Sequence, residues 1–175
     1  CAVGQGNSGF GLGLGPEIRW LKGLRMSDAA GLKGWPEINA FRKVERARLY
    51  ALRKAGSVEA NIDMAARIGQ ELDLLLPDLA GRTVAAYWPI RGELDLRAWC
   101  AGAIERGARI GLPVVVAKDA AVEFHHWTPA SKMGRGVWNI PVPAMVVVVP
   151  PTIELEPLLV LDTVAFWLGN GGGYY

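Results

Sequence analysis

The chain has 175 residues, of which 51% are hydrophobic and 21% are charged, and its formal net charge at pH 7 is +2. This composition supplies enough apolar side chains for a packed core and excludes a disordered chain. The nearly balanced charge argues against a protein that binds mainly to nucleic acid, and no apolar stretch is long enough for a membrane span. We expect a soluble, cytoplasmic monomer without nucleic-acid or membrane partners.

Residues 1–35 are predicted to form a flexible, glycine-rich arm ahead of a single domain over residues 36–175. Gly4, Gly6 and Gly9 have the spacing of a dinucleotide-binding loop. That motif requires a strand before the loop and a helix after it, and neither is predicted here. We therefore treat the spacing as accidental.

Two helices are predicted next. Pro36 suits the first turn of a helix that runs to Lys54, and Ser57 can cap a second helix that ends before Pro77. The apolar stripe predicted for the first helix consists of Ile38, Phe41, Val44 and Leu52, and that of the second of Val58, Ile62, Ala65, Ile68, Leu72 and Leu75.

The hydrophobic period then changes to that of short buried strands. Strands are predicted over residues 83–88, 110–116, 122–127, 145–149 and 158–161, with a helix over 94–106 and a loop over 128–144. Strands that alternate with helices predict an α/β fold, with a mainly parallel sheet and helices packed over it. Cys100 lies on the apolar stripe of the third helix, so we expect it in the core.

The end of the chain is glycine-rich. A run without Cβ atoms allows backbone N–H groups to converge on an anion, although the Lys-Ser/Thr pair of the common nucleotide-binding loop is absent. A tail without defined structure is the alternative. The run consists of Leu168, Gly169, Asn170, Gly171, Gly172, Gly173 and Tyr174.

The first predicted helix is strongly basic. Arg42 and Arg46 are four residues apart, so both guanidinium groups leave one face of the helix and can bind a polyphosphate together. A solvated face balanced by Glu45 and Glu59 is the alternative. The cations of this helix are Arg42, Lys43, Arg46, Arg48, Arg53 and Lys54.

Aromatic side chains follow two of the predicted strands. Trp88 and Glu93 come after the first strand, at the end where α/β sheets bind ligands, and they can hold a flat heterocycle through stacking and its ring N–H groups. Trp127, Trp138 and Pro141 occupy a proline-rich stretch and can form a ligand wall. Ordinary core packing explains Trp88 and Glu93 equally well, and it is the simpler explanation for the two tryptophans of the proline-rich stretch.

The order of these motifs resembles the 5-formyltetrahydrofolate cyclo-ligases, also called methenyltetrahydrofolate synthetases. The resemblance extends from about Phe41 to Tyr175. It rests on the basic helix, Tyr-Trp-Pro-x-x-x-Glu, Leu-Pro-Val-Val, Trp-x-Pro, Trp-Asn-Ile-Pro-x-Pro and Leu-Gly-x-Gly-x-Gly-Tyr-Tyr. It implies a three-layer α/β fold of the NagB/RpiA/CoA-transferase type, with a mainly parallel sheet flanked by helices. It also implies an ATP- and Mg²⁺-dependent conversion of 5-formyltetrahydrofolate, polyglutamylated or not, to 5,10-methenyltetrahydrofolate through a phosphorylated formyl group.

The resemblance also implies roles for individual residues. Arg42, Lys43, Arg46 and the run from Leu168 to Tyr174 would bind ATP, with Arg46 and Tyr174 closest to the reaction. The folate would contact the two strand-end residues and the ligand wall, namely Trp88, Glu93, Trp127, Trp138 and Pro141. No residue of this chain is assigned to a metal ion.

The sequence departs from the family pattern near its end. Phe166-Trp167-Leu168-Gly169 stands where the family has a longer stretch with a phosphate-binding Arg, and the family's magnesium-binding Asp would follow Tyr175. We expect the C-terminal part of the family's fold to be missing. A non-catalytic relative that binds folate or nucleotide is therefore the main alternative, and a sugar-phosphate or acyl-CoA domain on a similar scaffold is the third.

Overall fold

The computed structural model describes residues 2–4, 34–117, 120–161 and 167–169. In chain order the elements are β1 (Ala2–Gly4), α1 (Trp35–Ala55), α2 (Val58–Leu75), β2 (Thr83–Ala85), α3 (Arg97–Glu105), β3 (Arg109–Val114), β4 (Glu123–Trp127), β5 (Met133–Arg135), the 3-10 helix Val137–Asn139, β6 (Pro141–Pro143), β7 (Ile153–Glu156), β8 (Val160–Leu161) and β9 (Trp167–Leu168).

The main sheet has the strand order β1-β7-β2-β3-β4. Its three central strands, β7, β2 and β3, run parallel, and the strand at each edge is antiparallel to its neighbour. Strands β5 and β6 form one hairpin, and β8 pairs with β9 in another. The predicted α/β fold with a mainly parallel sheet flanked by helices is confirmed.

The core lies where α2 and α3 pack on the sheet. Leu72 of α2, Ile110 of β3 and Ile153 of β7 are each at most 2% exposed and belong to one apolar cluster. Cys100 of α3 lies in the same cluster, as predicted, and burial raises the pKa of its thiol to about 12. This thiol is therefore a packing group rather than a nucleophile.

The predicted start of α2 is confirmed, because the Ser57 hydroxyl accepts a hydrogen bond from Ala60 N at 3.1 Å. The predicted stripe is wrong over its first turns and at its last residue, since Leu75 is 44% exposed. Val58 and Ile62 are exposed, and burial is complete only at Gly69 and Leu72. The helix therefore docks on the core through its second half.

Helix α1 differs more from its prediction. Its bounds agree, but no residue of this helix, which is described over its whole length, is fully buried. Val44 and Leu52 are 65% and 57% exposed, so their place in an apolar stripe is wrong. The face that is half-buried is mixed and largely polar, and consists of Ile38, Phe41, Arg42, Glu45, Arg46, Leu49, Tyr50 and Arg53.

The strand predictions fail in three places. Strand β7 was not predicted, although its Ile153 and Leu155 are among the most buried residues. The predicted loop 128–144 contains the β5/β6 hairpin, in which Gly134 pairs with Val142. The predicted strand 145–149 is reduced to one bridge between His125 and Val148, where His126 N donates to Val147 O and Val149 N donates to Phe124 O.

Part of the predicted N-terminal arm lies in the sheet, since β1 pairs with β7 through Val3 and Leu155. Residues 5–33 of that arm lie outside the described residues. None of the described helices combines the length and the apolar character that crossing a membrane requires.

Candidate functional site

One side of α1 meets the β8/β9 hairpin through arginine side chains. Arg46 Nε donates a hydrogen bond to Gly169 O at 3.0 Å, and Arg53 Nη2 donates to Leu158 O at 2.8 Å. The two accepting residues are held near each other because Leu159 N donates to Leu168 O. The basic helix therefore contacts Gly169, at the start of the glycine-rich run, and Leu168 lies beside it in the hairpin. Asn170, Gly171, Gly172, Gly173 and Tyr174 lie outside the described residues.

Glu45, the acid next to Arg46 in α1, does not pair with it. Glu45 pairs instead with Arg48, whose Nε lies 2.9 Å from Glu45 Oε2. Arg42 is one turn before Arg46 on the same face, with its guanidinium 6.0 Å from the centre of the Trp35 ring. Lys43, three residues before Arg46, is exposed. The face of α1 that meets the hairpin is therefore cationic.

A tight turn follows β2 and positions Glu93. Glu93 N donates to Ile90 O, and Ile90 N donates to a carboxylate oxygen of Glu93, both at 2.9 Å. Arg91 and Gly92 have φ angles of 50° and 78°, the left-handed region that glycine adopts most readily. Glu93 is only 8% exposed. Its carboxylate thus closes the turn at the carboxyl end of the sheet.

Tyr87 lies beneath this turn. Its hydroxyl donates to Leu94 O at 2.8 Å. Burial raises the pKa of this hydroxyl, the negative charge of Glu93 adds to the rise, and the positive charge of Arg53 opposes it. Tyr87, Glu93 and Arg53 therefore share one electrostatic environment, in which Tyr87 stays protonated at neutral pH.

Helix α1 also contacts the turn directly. Arg91 Nη1 donates to Tyr50 OH at 3.4 Å, and the Arg91 guanidinium lies 5.7 Å from the centre of the Tyr50 ring. A Cβ atom at Gly92 would lie 3.3 Å from Cγ of Arg53. Helix α1 thus joins the β8/β9 hairpin to the turn that carries Glu93.

A cleft of about 390 Å³ opens between α3 and the chain that follows β4. The structure brings two of the predicted ligand-contacting residues, Trp88 and Trp127, into its lining, whereas Glu93, Trp138 and Pro141 are not among the described residues that line it. The lining consists of Trp88, Asp95, Arg97, Ala98, Ala101, Trp127, Pro129, Ser131 and Met133.

One wall of the cleft is built by an ion pair over an indole ring. The Arg97 guanidinium lies 4.6 Å from the centre of the Trp88 ring, a cation–π contact. Arg97 Nε donates to Asp95 Oδ1 at 2.8 Å. That hydrogen bond lowers the pKa of Asp95 and raises that of Arg97. Sequence reasoning missed Asp95 and Arg97, because no local motif indicates which ring an exposed arginine covers.

Trp127 serves the core as well as the cleft. It is 5% exposed, belongs to the main apolar cluster and pairs with Ile110 in the sheet. The ligand-wall and core-packing interpretations of this residue are therefore compatible, because one edge of its ring can reach the cleft.

Trp138 lies at the tip of the β5/β6 hairpin and is 64% exposed. Trp138 and Asn139 have φ angles of 55° and 62°, a strained conformation for residues with side chains. Arg135 Nη1 donates to Asn139 O at 3.1 Å and holds this tip. Pro141 is half-buried at the start of β6. The hairpin therefore presents an indole ring to solvent.

No group of three or more metal-ligating side chains occurs in the ranges that the structure describes. His125 and His126 are adjacent on β4 and, as expected for a strand, alternate in direction. His125 is buried with its Nε2 3.1 Å from Glu123 Oε2. The two imidazoles therefore do not form a shared metal site.

Solved structures with a similar fold were found. The NMR structure of 5,10-methenyltetrahydrofolate synthetase from Aquifex aeolicus is 25% identical, matches 77% of this chain and 69% of its own length, and has a TM-score of 0.65. The synthetase from Mycoplasma pneumoniae is 22% identical over 77% of this chain and 74% of its own, with a TM-score of 0.59. No protein-family model and no curated protein matches the sequence. The resemblance indicated by the motifs is thus confirmed at the level of structure.

Proposed function

We propose that this chain is an ATP-dependent ligase that converts 5-formyltetrahydrofolate to 5,10-methenyltetrahydrofolate. The observation that carries the proposal is the similarity, over 77% of the chain, to a structure described as 5,10-methenyltetrahydrofolate synthetase. The ordered motifs that led to the same family from the sequence support it independently of the fold.

In this proposal the cationic face of α1 binds the phosphates of ATP. Arg46 donates through its Nε atom to Gly169 O, so its positive charge lies at the start of the glycine-rich run. Arg42 lies one turn away on the same face, and Lys43 adds charge beside it. The side chains of α1 fit a polyphosphate, and the residues from Gly171 to Tyr174 would complete its binding site.

The folate would occupy the cleft and the turn next to it. Trp88 and Trp127 offer flat apolar surfaces, and the buried carboxylate of Glu93 offers an acceptor for ring N–H groups. Trp138 and Pro141 would close over the ligand if the β5/β6 hairpin moves toward the cleft. Tyr174 would contact the folate near the phosphates.

The reaction would transfer the γ-phosphoryl group of ATP to the formyl oxygen, after which N10 of the folate closes the ring and phosphate leaves. The protein's own task is to position the two substrates and to neutralise charge. Arg46 and Arg42 supply the positive charge, and Glu93 and Trp88 orient the heterocycle. Magnesium accompanies ATP in the proposal, and no described side chain is assigned to it.

The direct test mixes the chain with 5-formyltetrahydrofolate and Mg-ATP and follows the absorbance of the methenyl product. The expected result is an absorbance rise that requires ATP and is lost in Arg46→Ala but kept in Arg48→Ala, which removes a charge that Glu45 already neutralises. If neither substrate raises the melting temperature, the proposal is wrong. A ligand at 100 times its Kd should add about 2.7 kcal/mol to the free energy of unfolding.

A non-catalytic relative that binds folate or nucleotide is the second candidate. It is favoured by one observation, namely that Phe166-Trp167-Leu168-Gly169 lacks the Arg that the family has near this point. Saturable folate binding without release of ADP from ATP would select this candidate over the enzyme.

A further inference from the structure

Arg53 is the one arginine on the cationic face of α1 to which no role has been given. It lies seven residues after Arg46, which places the two side chains within about 20° of each other around the helix and roughly 10 Å apart along it. Arg42, Arg46 and Arg53 therefore form a single row. The first two lie toward the glycine-rich run, and Arg53 lies at the turn that carries Glu93.

The side chain of Arg53 is fixed at both ends. Its aliphatic part lies against Gly92, where a Cβ atom would be 3.3 Å from Cγ, and its Nη2 donates to Leu158 O at 2.8 Å. A guanidinium held in this way has lost most of its freedom before any ligand arrives. Such a group loses little further entropy on binding a ligand.

One end of this guanidinium lacks an acceptor. Arg53 Nη1 is buried and has no hydrogen-bond partner in the part of the chain that the structure describes. A buried charged donor without an acceptor is costly, so such a group calls for an explanation. Glu93 is not the missing acceptor. Its Oε2 accepts from Ile90 N, and no hydrogen bond joins its carboxylate to Arg53 Nη1.

We propose that Arg53 binds an anionic oxygen of the substrates through Nη1. The inference rests on the proposed function for the identity of the ligand, and it adds a third arginine to the site. The oxygen belongs either to a carboxylate of the folate's glutamate tail or to a phosphate of the nucleotide. Arginine suits both because its planar fork can hold the Leu158 carbonyl and a ligand oxygen at the same time.

The test measures binding of two fragments by calorimetry. 4-Aminobenzoyl-L-glutamate carries the carboxylates without the pterin, and tripolyphosphate carries the phosphates without the nucleoside. In Arg53→Gln we expect affinity for one fragment to fall about 10- to 100-fold, as for the loss of a charge-assisted hydrogen bond. The fragment that loses affinity identifies the source of the oxygen.

Two further variants make the test decisive. Lys54→Gln removes a positive charge from the next, exposed residue of α1 and should change neither affinity by more than about twofold. Arg53→Lys keeps the positive charge but not the planar fork, so it should lose less affinity than Arg53→Gln. If Arg53→Gln does not fold, Arg53→Lys is measured in its place. Unchanged affinity for both fragments, or a wild-type chain that binds neither, would overturn the inference. Fragment binding that depends on Arg53 in a chain without cyclo-ligase activity would instead contradict the proposed function.

Discussion

Two helices of this molecule are held in place by different forces. Helix α2 places Leu72 in an apolar cluster with Ile110 and Ile153, and each of these side chains is at most 2% exposed. Helix α1 is longer, yet it buries no residue completely and contacts the β8/β9 hairpin through Arg46 and Arg53. Helix α2 is thus held by apolar side chains, whereas α1 is held by arginine side chains that donate hydrogen bonds to backbone carbonyls.

The difference separates stability from binding. Apolar burial stabilises a fold by an amount that grows with the area removed from water, without regard to direction. Arginine–carbonyl contacts add less stability but fix guanidinium groups in defined orientations, which recognition of an anion requires. We therefore expect substitutions in the α2 region to act on unfolding and substitutions on the face of α1 to act on ligands.

The largest expected effect is on stability in the core. Ile153→Ala should lower the free energy of unfolding by about 2–5 kcal/mol, because it opens a cavity at a fully buried side chain. Val44→Ala, on the exposed side of α1, should change it by no more than about 0.5 kcal/mol. Urea titration with unchanged m-values measures both. Equal losses at the two sites would contradict the contrast between the regions.

The next effect is on nucleotide binding. Arg46→Ala should weaken the binding of ATP by about 1.5–3 kcal/mol, which is the usual cost of a lost charge-assisted hydrogen bond. It should affect the binding of folate much less. Arg48→Ala is the matched control, since Arg48 is paired with Glu45. Calorimetric titration of both ligands checks the expectation, and unchanged ATP affinity would remove Arg46 from the site.

The turn after β2 should show the opposite preference. Glu93→Gln keeps an oxygen that can accept from Ile90 N, so the turn should persist. Folate binding should weaken by about 1–3 kcal/mol through loss of the carboxylate, whereas ATP binding should not change. A variant that lost ATP and kept folate would reverse the assignment of the two halves of the site.

A smaller effect concerns the ion pair over Trp88. The hydrogen bond from Arg97 lowers the pKa of Asp95 below its ordinary value of 3.8. The pair therefore stabilises the folded state above about pH 4, and this contribution is lost as the pH falls through the lowered pKa of the folded state. Asp95→Asn should cost less than about 1 kcal/mol at pH 7, because both side chains are partly exposed. Thermal unfolding from pH 2 to pH 7 measures this, and a difference that grew at low pH would contradict it.

The smallest effect has the opposite sign. Burial, together with Glu154, raises the pKa of Glu156 above its ordinary value of 4.5. The folded state therefore favours the protonated carboxyl group. The stability that this group contributes is complete below its ordinary pKa and is lost as the pH rises through the raised pKa. Glu156→Gln should stabilise the chain slightly at pH 7 and not at pH 4. Destabilisation at pH 7 would show that Glu156 has a favourable partner.

The sequence was informative wherever one face of an element is buried in the core. The cap at Ser57, the buried Cys100 and the α/β order follow from local patterns that tertiary contacts reinforce. Strand β7 was missed although Ile153 and Leu155 alternate with Glu154 and Glu156 as in a half-buried strand, because it has only four residues and prolines stand close to both of its ends.

The candidate site was less predictable. Sequence spacing places Arg42 and Arg46 on one face of α1, but it cannot show that the partner of this face is a carbonyl rather than an apolar surface. The stack of Arg97 on Trp88 depends on where α3 lies relative to the end of β2. Such contacts join separate elements and leave no local pattern.

The most direct test of the account is hydrogen exchange of the backbone with and without Mg-ATP. If the cationic face of α1 and the start of the glycine-rich run bind the same triphosphate, amides of α1 and of residues 167–169 should become protected together, while those of α2 do not change. Protection of one segment without the other, or ATP binding with no change in α1, would contradict it.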